Sequence, residues 1–125
     1  VGCVIVHKNE IIACGYNEKE SKNSAIRHAE IVAISRACRK LGSWRLDDCS
    51  LYVTLEPCMM CMGAILYEEF SKVVYAATLQ DSNDNYCPEM ITDIDELAKY
   101  SKDKIEIIKE LHRDKAVEVL KMRGE

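Results

Sequence analysis

A histidine and a carboxylate two residues apart, His28-Ala29-Glu30, are followed by a cysteine pair, Pro57-Cys58-Met59-Met60-Cys61. One imidazole and two thiolates make a set of three zinc ligands. A tetrahedral zinc wants four, and a set of three leaves one position for water, which separates a catalytic zinc from a structural one. Glu30 supplies the base such a water needs. The chain must therefore fold so that two segments thirty residues apart meet at one point.

The elements that carry them are legible from periodicity. Gly2 to Val6 and Ile11 to Tyr16 read as two strands joined by the polar turn His7 to Glu10, a hairpin. Ala29, Val32, Ala33, Ala37 and Leu41 recur at helical spacing, so a helix runs from His28 to Leu41, and Gly42 stops it. Leu51 to Leu55 is an apolar, β-branched and aromatic run, hence a strand. Pro57 suits the first turn of the next helix, Cys58 to Glu68. Lys72 to Ala77 reads as a strand, Gln80 to Asn85 as a polar loop and Asp93 to Tyr100 as a short helix. Ile105 to Ile108 is a fifth strand and Arg113 to Met122 a closing helix. The alternation predicts a three-layer α/β/α domain: a central mixed five-stranded sheet, opened by a hairpin, with helices on both faces.

Both halves of the motif then sit where helices begin. Helix N-termini favour thiolate over thiol. Cys58 and Cys61 share one face of the first turn and can hold one metal. Glu30 points elsewhere than His28, so it is expected beside the metal and not as a fourth ligand. A closed structural zinc clip needs a fourth ligand, for which Cys49 and Cys87 are the nearest candidates.

Composition limits the rest. With 125 residues, 48% apolar and 30% charged, the chain has room for one domain with a real core. A net charge of −4 argues against a broad phosphate-binding surface. No apolar run approaches the roughly 18 residues of a membrane span. Seven cysteines, of which only two have metal spacing, argue against a secreted disulfide framework and for a reducing cytoplasm.

These residues resemble the cytidine deaminase-like superfamily, in the branch of tRNA adenosine deaminases, bacterial guanine deaminases and fungal-type cytosine deaminases. Leu51-Tyr-Val-Thr-Leu-Glu-Pro-Cys-Met-Met-Cys-Met-Gly-Ala-Ile65 is similar to the tRNA adenosine deaminases. Arg36 to Gly42 with Leu46 to Cys49 is similar to guanine deaminases, and Ile105 to Lys121 to cytosine deaminases. Ser24-Ala25-Ile26-Arg27 is nearer to cytosine deaminases, which in turn carry glycine where this chain has Ala29. The first strand starts at residue 1, whereas relatives carry a helix before it, so the expectation is a single domain over residues 1–125 without that helix.

The resemblance implies hydrolytic deamination. Zinc, held by His28, Cys58 and Cys61, activates water; Glu30 shuttles the proton; and hydroxide attacks the ring carbon bearing the amine. It also implies that Asn17 and the Ala29 backbone N–H contact the substrate. The expected substrate is a nucleobase or nucleoside of guanine or cytosine type. The alternatives are adenosine at the tRNA anticodon wobble position, making inosine, and a non-catalytic zinc-binding subunit, against which Glu30 counts. A homodimer is implied as well. Asp81, Asp84, Tyr86 and Glu89, in the segment from Thr78 to Thr92, are candidates to meet an amino group on a free base. Arg113, Lys115, Lys121 and Arg123 read as a solvated face. His7 and His112 read as structural, Met59, Met60 and Met62 as core or subunit interface, and Trp44 as a core cap or a neighbour contact.

Overall fold

A computed structural model describes residues 1–18, 23–81, 93–101 and 104–122, with side chains to residue 119. Strands β1 (Gly2–His7) and β2 (Glu10–Tyr16) form the expected hairpin. Its turn is tighter than predicted. Lys8 and Asn9 alone bridge the strands at φ 50° and 64°, and His7 pairs with Glu10. Positive φ at both central residues matches the twist of the flanking strands. His7, expected in the turn, is therefore the last residue of β1.

Helix α1 (Ala29–Leu41) follows, with His28 as its N-cap. Ala29, Val32, Ala33 and Ala37 are fully buried, while Leu41 is partly exposed at the last turn. Gly42 ends the helix at φ 64°, its N–H bonded to the Cys38 carbonyl. Strand β3 (Cys49–Leu55) leads to α2 (Met59–Tyr67) and β4 (Lys72–Ala77). Pro57 stands one residue before the N-cap, Cys58, and so outside the first turn. A 3-10 turn (Leu79–Asp81), α3 (Ile94–Ala98), β5 (Glu106–Ile108) and α4 (Arg113–Met122) complete the described chain.

The sheet order is β2-β1-β3-β4-β5. β1 is antiparallel to both β2 and β3, whereas β3, β4 and β5 are parallel. β2 therefore runs in the same direction as β3 and β4. Asn17, Cys58 and Thr78, which follow these three strands, all leave the sheet at one edge. That edge is where ligands collect in open α/β sheets.

The architecture is three-layered, as expected. Cys3, Ile5, Leu51, Val53 and Val73 face α1 and α2 in one buried cluster with Ala33, Ala37, Met62 and Ile65. Alternate residues Val4, Tyr52 and Val74 face the other way and, with Leu111, Ala116 and Val119, line an apolar groove beside α4. Among the described residues no helix is long and apolar enough to cross a membrane.

Gly15 fixes how closely α1 lies on the sheet. A Cβ there would stand 2.4 Å from the Ala29 carbonyl oxygen and 2.7 Å from the Ala33 nitrogen. Both are helix backbone and have no room to yield. Gly15→Ala is expected to destabilise the fold by about 1–3 kcal/mol through overpacking, seen as a lower Tm. Gly63→Ala is the control: its Cβ meets nothing within 4 Å, and its Tm should stay level or rise.

Candidate metal centre

His28 and Cys58 are both N-caps, and neither makes a side-chain capping hydrogen bond (φ −70°, ψ 159° and φ −72°, ψ 174°). An N-cap side chain ordinarily accepts from the first turn. Here the two turn toward each other instead. His28 Nδ1 lies 3.7 Å from Cys58 Sγ and 3.6 Å from Cys61 Sγ. All three ligand atoms fall within 4.8 Å of one another, with both cysteines buried. The donor set, one imidazole and two sulfurs in a closed triangle, fits zinc.

Among the described residues this group has three members and no fourth. Cys49, a candidate for closing a structural clip, stands at the opposite end of β3. Cys87 lies outside the described residues.

The thiols are electrostatically unequal. A hydrogen bond from Cys61 pushes the Cys58 thiol down to about 4, helped by His28, against the opposing effect of burial. The same bond, with burial, holds Cys61 up. The pair thus keeps one proton between two sulfurs, which a divalent cation would replace. Glu30 is 4% exposed. Burial raises its carboxyl to about 7, and the negative charge of Cys58 adds to the rise. A carboxyl near 7 beside a metal triangle is matched to proton transfer at neutral pH.

Asn17 reaches the same place from the end of β2. Its Oδ1 accepts the Ala29 N–H at 2.9 Å, so the N–H expected at a substrate ring is held by Asn17. The segment between them is closed at its base. Glu18, 6% exposed, pairs with Arg27 at 2.5 Å and Arg36 at 3.2 Å. The Glu18 N–H also donates to the Arg27 carbonyl at 2.9 Å. Glu18 belongs to no motif of the sequence and was missed. The signal was a Glu and an Arg flanking the segment that joins Asn17 to His28. Glu56 was missed as well; its Oε1 accepts the Leu79 N–H at 3.2 Å and ties the edge of β3 to the 3-10 turn.

Asp81 does not offer its carboxylate to a substrate. It accepts the Thr78 N–H and O–H, both at 2.9 Å, and Arg113 Nε and Nη2 at 2.9 and 2.7 Å. It clamps α4 to the end of β4, so Arg113, exposed as expected of a solvated face, is an anchor as well. Asp84, Tyr86 and Glu89 lie outside the described residues, as do Arg123 and the side chain of Lys121. Trp44 does not cap the core: it is exposed, with the Arg45 guanidinium 5.8 Å from its ring centroid. Met62 is core, and Met60 packs against the smaller cluster with Cys58 and Cys61. None of His28, Glu30, Cys58 or Cys61 lines the apolar groove beside α4, which sets that groove apart from the metal triangle.

The model of the MafB19-like deaminases matches residues 1–116. The chain belongs to the MafB19-like deaminase family. It is 48% identical over 77 residues to the tRNA-specific adenosine deaminase of Bacillus subtilis (62% of this chain, 48% of the relative). It is 47% identical over 81 residues to the guanine deaminase of the same organism (65% and 52%). A solved structure from work on A-to-I editing by tRNA:A34 deaminases superposes with a TM-score of 0.80 at 29% identity, over 95% of this chain and 83% of the other. The chain spans about half the length of the curated relatives it matches first.

The Asp81 clamp has a pH signature. Arg113 holds the Asp81 carboxyl well below the usual carboxylate range, with Thr78 contributing. A lowered folded-state value stabilises the fold above the ordinary carboxylate range and is lost as pH falls toward the folded value. Asp81→Asn is expected to lower Tm at pH 7, and its gap to the parent should close as pH drops below about 4.

Proposed function

We propose that this chain is a zinc-dependent hydrolytic deaminase acting on an amine-bearing nucleobase ring. The observation that carries the reading is the His28, Cys58, Cys61 triangle with buried Glu30 beside it. When bound there, zinc supplies a Lewis acid that makes water a nucleophile near neutral pH. Its ligands would be His28 Nδ1 and the two thiolates.

The chain's own groups carry the proton. Glu30 takes it from water as the oxygen adds to the ring carbon. It passes that proton to the neighbouring ring nitrogen, then moves the remaining hydroxyl proton to the amine, which leaves as ammonia while the carbon keeps the oxygen as a carbonyl. One carboxylate serves as base and acid, for which a value near 7 is suited. Asn17 orients the ring. Its oxygen is fixed on the Ala29 N–H, which leaves the amide NH2 as a donor for a ring acceptor. Ala29 contributes through Asn17.

The substrate reading is a free base or nucleoside of guanine or cytosine type. The acidic balance, net −4 with pI ≈ 5.4, supports a small substrate over a polyanion. The second reading, adenosine at the tRNA wobble position, is favoured by the tRNA-specific adenosine deaminases among the relatives. The reading extends to a homodimer in a reducing cytoplasm. α2 leaves Met59 40% and Tyr67 84% exposed, surface of the kind a second copy covers.

Glu30→Gln is expected to keep its zinc and lose about 10²- to 10⁴-fold in kcat; full activity would refute the mechanism. Ammonia release from guanine, cytosine, guanosine, cytidine and adenosine, measured beside inosine formation in tRNA, separates the substrates. Reaction with tRNA alone would overturn the first reading and leave the second.

A further inference from the structure

The edge of the sheet opposite the catalytic triangle holds a second group of metal-ligating side chains. β1 ends at His7 and β3 begins at Cys49, and the two are direct partners in the antiparallel ladder. Their side chains therefore project from the same face. Asp48, one residue before Cys49, brings its carboxylate to within 3.0 Å of His7 Nε2. One ligand atom from each of His7, Asp48 and Cys49 lies within 4.8 Å of the other two.

We propose that His7, Asp48 and Cys49 form a second metal site, for a borderline divalent cation such as zinc. The ligand types select the ion. An imidazole, a carboxylate and a thiolate suit zinc and its neighbours, whereas magnesium and calcium want oxygen alone. The 3.0 Å between nitrogen and oxygen is a hydrogen bond, and the pair would open to about 3.4 Å to share a tetrahedral ion.

The surroundings favour a cation. Asp48 and Asp47 place their negative charges close to Cys49. That charge attracts a cation. Access is open on one side: Asp48 is 65% exposed and His7 18%, while Cys49 is closed in the core. An ion would enter past Asp48 and leave its fourth position to solvent. It would join the end of β1 to the start of β3, a structural role. The six residue steps of β3 from Cys49 to Leu55 span roughly 20 Å at ~3.3 Å each, so the two sites fill independently.

The test is a metal count. The folded full chain is dialysed against micromolar zinc(II), and bound metal per chain is measured by elemental analysis. Two equivalents are expected for the parent and one for each of His7→Gln, Asp48→Asn and Cys58→Ser. His7→Gln and Asp48→Asn should retain deaminase activity, and Cys58→Ser should not. His7 and Asp48 lie at the surface, so their variants keep the test valid if Cys49→Ser fails to fold. One equivalent in the parent, lost in Cys58→Ser and kept in His7→Gln, would overturn the proposal and leave a hydrogen-bonded His–Asp pair beside a buried thiol. Two equivalents in both the parent and His7→Gln would place the second ion elsewhere and overturn it equally. Failure of the catalytic triangle to bind zinc would show instead as no loss in Cys58→Ser, a separate outcome.

Discussion

The closeness of α1 to the sheet at Gly15 is the constraint on which the metal centre depends. A helix packs on a sheet through side chains, and its backbone ordinarily stays clear of the strand. At Gly15 the Ala29 carbonyl and the Ala33 nitrogen come nearer than any Cβ allows. The first turn of α1 is thereby pressed onto β2, and this turn carries Glu30, with His28 at its cap. The same contact sets the distance from Asn17, two residues past Gly15, to the Ala29 N–H. A missing side chain on a strand thus fixes three functional groups on a helix and a loop.

The second half of the triangle arrives by topology. Because β1 is antiparallel to both neighbours, β2, β3 and β4 end at one edge. Two helix starts meet there, and each brings unpaired N–H groups and partial positive charge. Side chains that elsewhere cap helices, His28 and Cys58, converge there, and the charge favours the thiolate a metal would need. Glu30 is the cost of the arrangement. Burying a carboxyl until it titrates near 7 opposes folding above its ordinary range, the direction expected where activity and stability conflict.

Most of this was legible in the chain. Period and punctuation gave the hairpin, the two long helices and the parallel strands to within a few residues, because each signal was local: alternating apolar residues, Gly42 as a stop, a β-branched run. The ligand triangle was legible because chemistry restricts which residue types bind zinc at which spacing. What escaped was set by the third dimension. Asp81 looked like a free acid on a loop, but Arg113, thirty-two residues later, takes both its oxygens. His7 looked like a turn residue because the two-residue turn that frees it for pairing is fixed by the backbone at Lys8 and Asn9.

The buried Glu18 closes the segment between Asn17 and His28 at its base. Its charge is nearly sealed from water and answered by two arginines, one at the far end of the loop and one on α1. A buried ion pair of this kind adds little net stability over an apolar substitute, yet losing one partner leaves an uncompensated charge. Its effect is on specificity of conformation: it determines which two points of the chain are joined. Here those points flank Asn17 and His28. Asn17 and His28 are thereby tied at the two ends of the segment that joins them. Arg27 faces Glu18, so its guanidinium, one residue before His28, is committed to holding the loop closed beside the site.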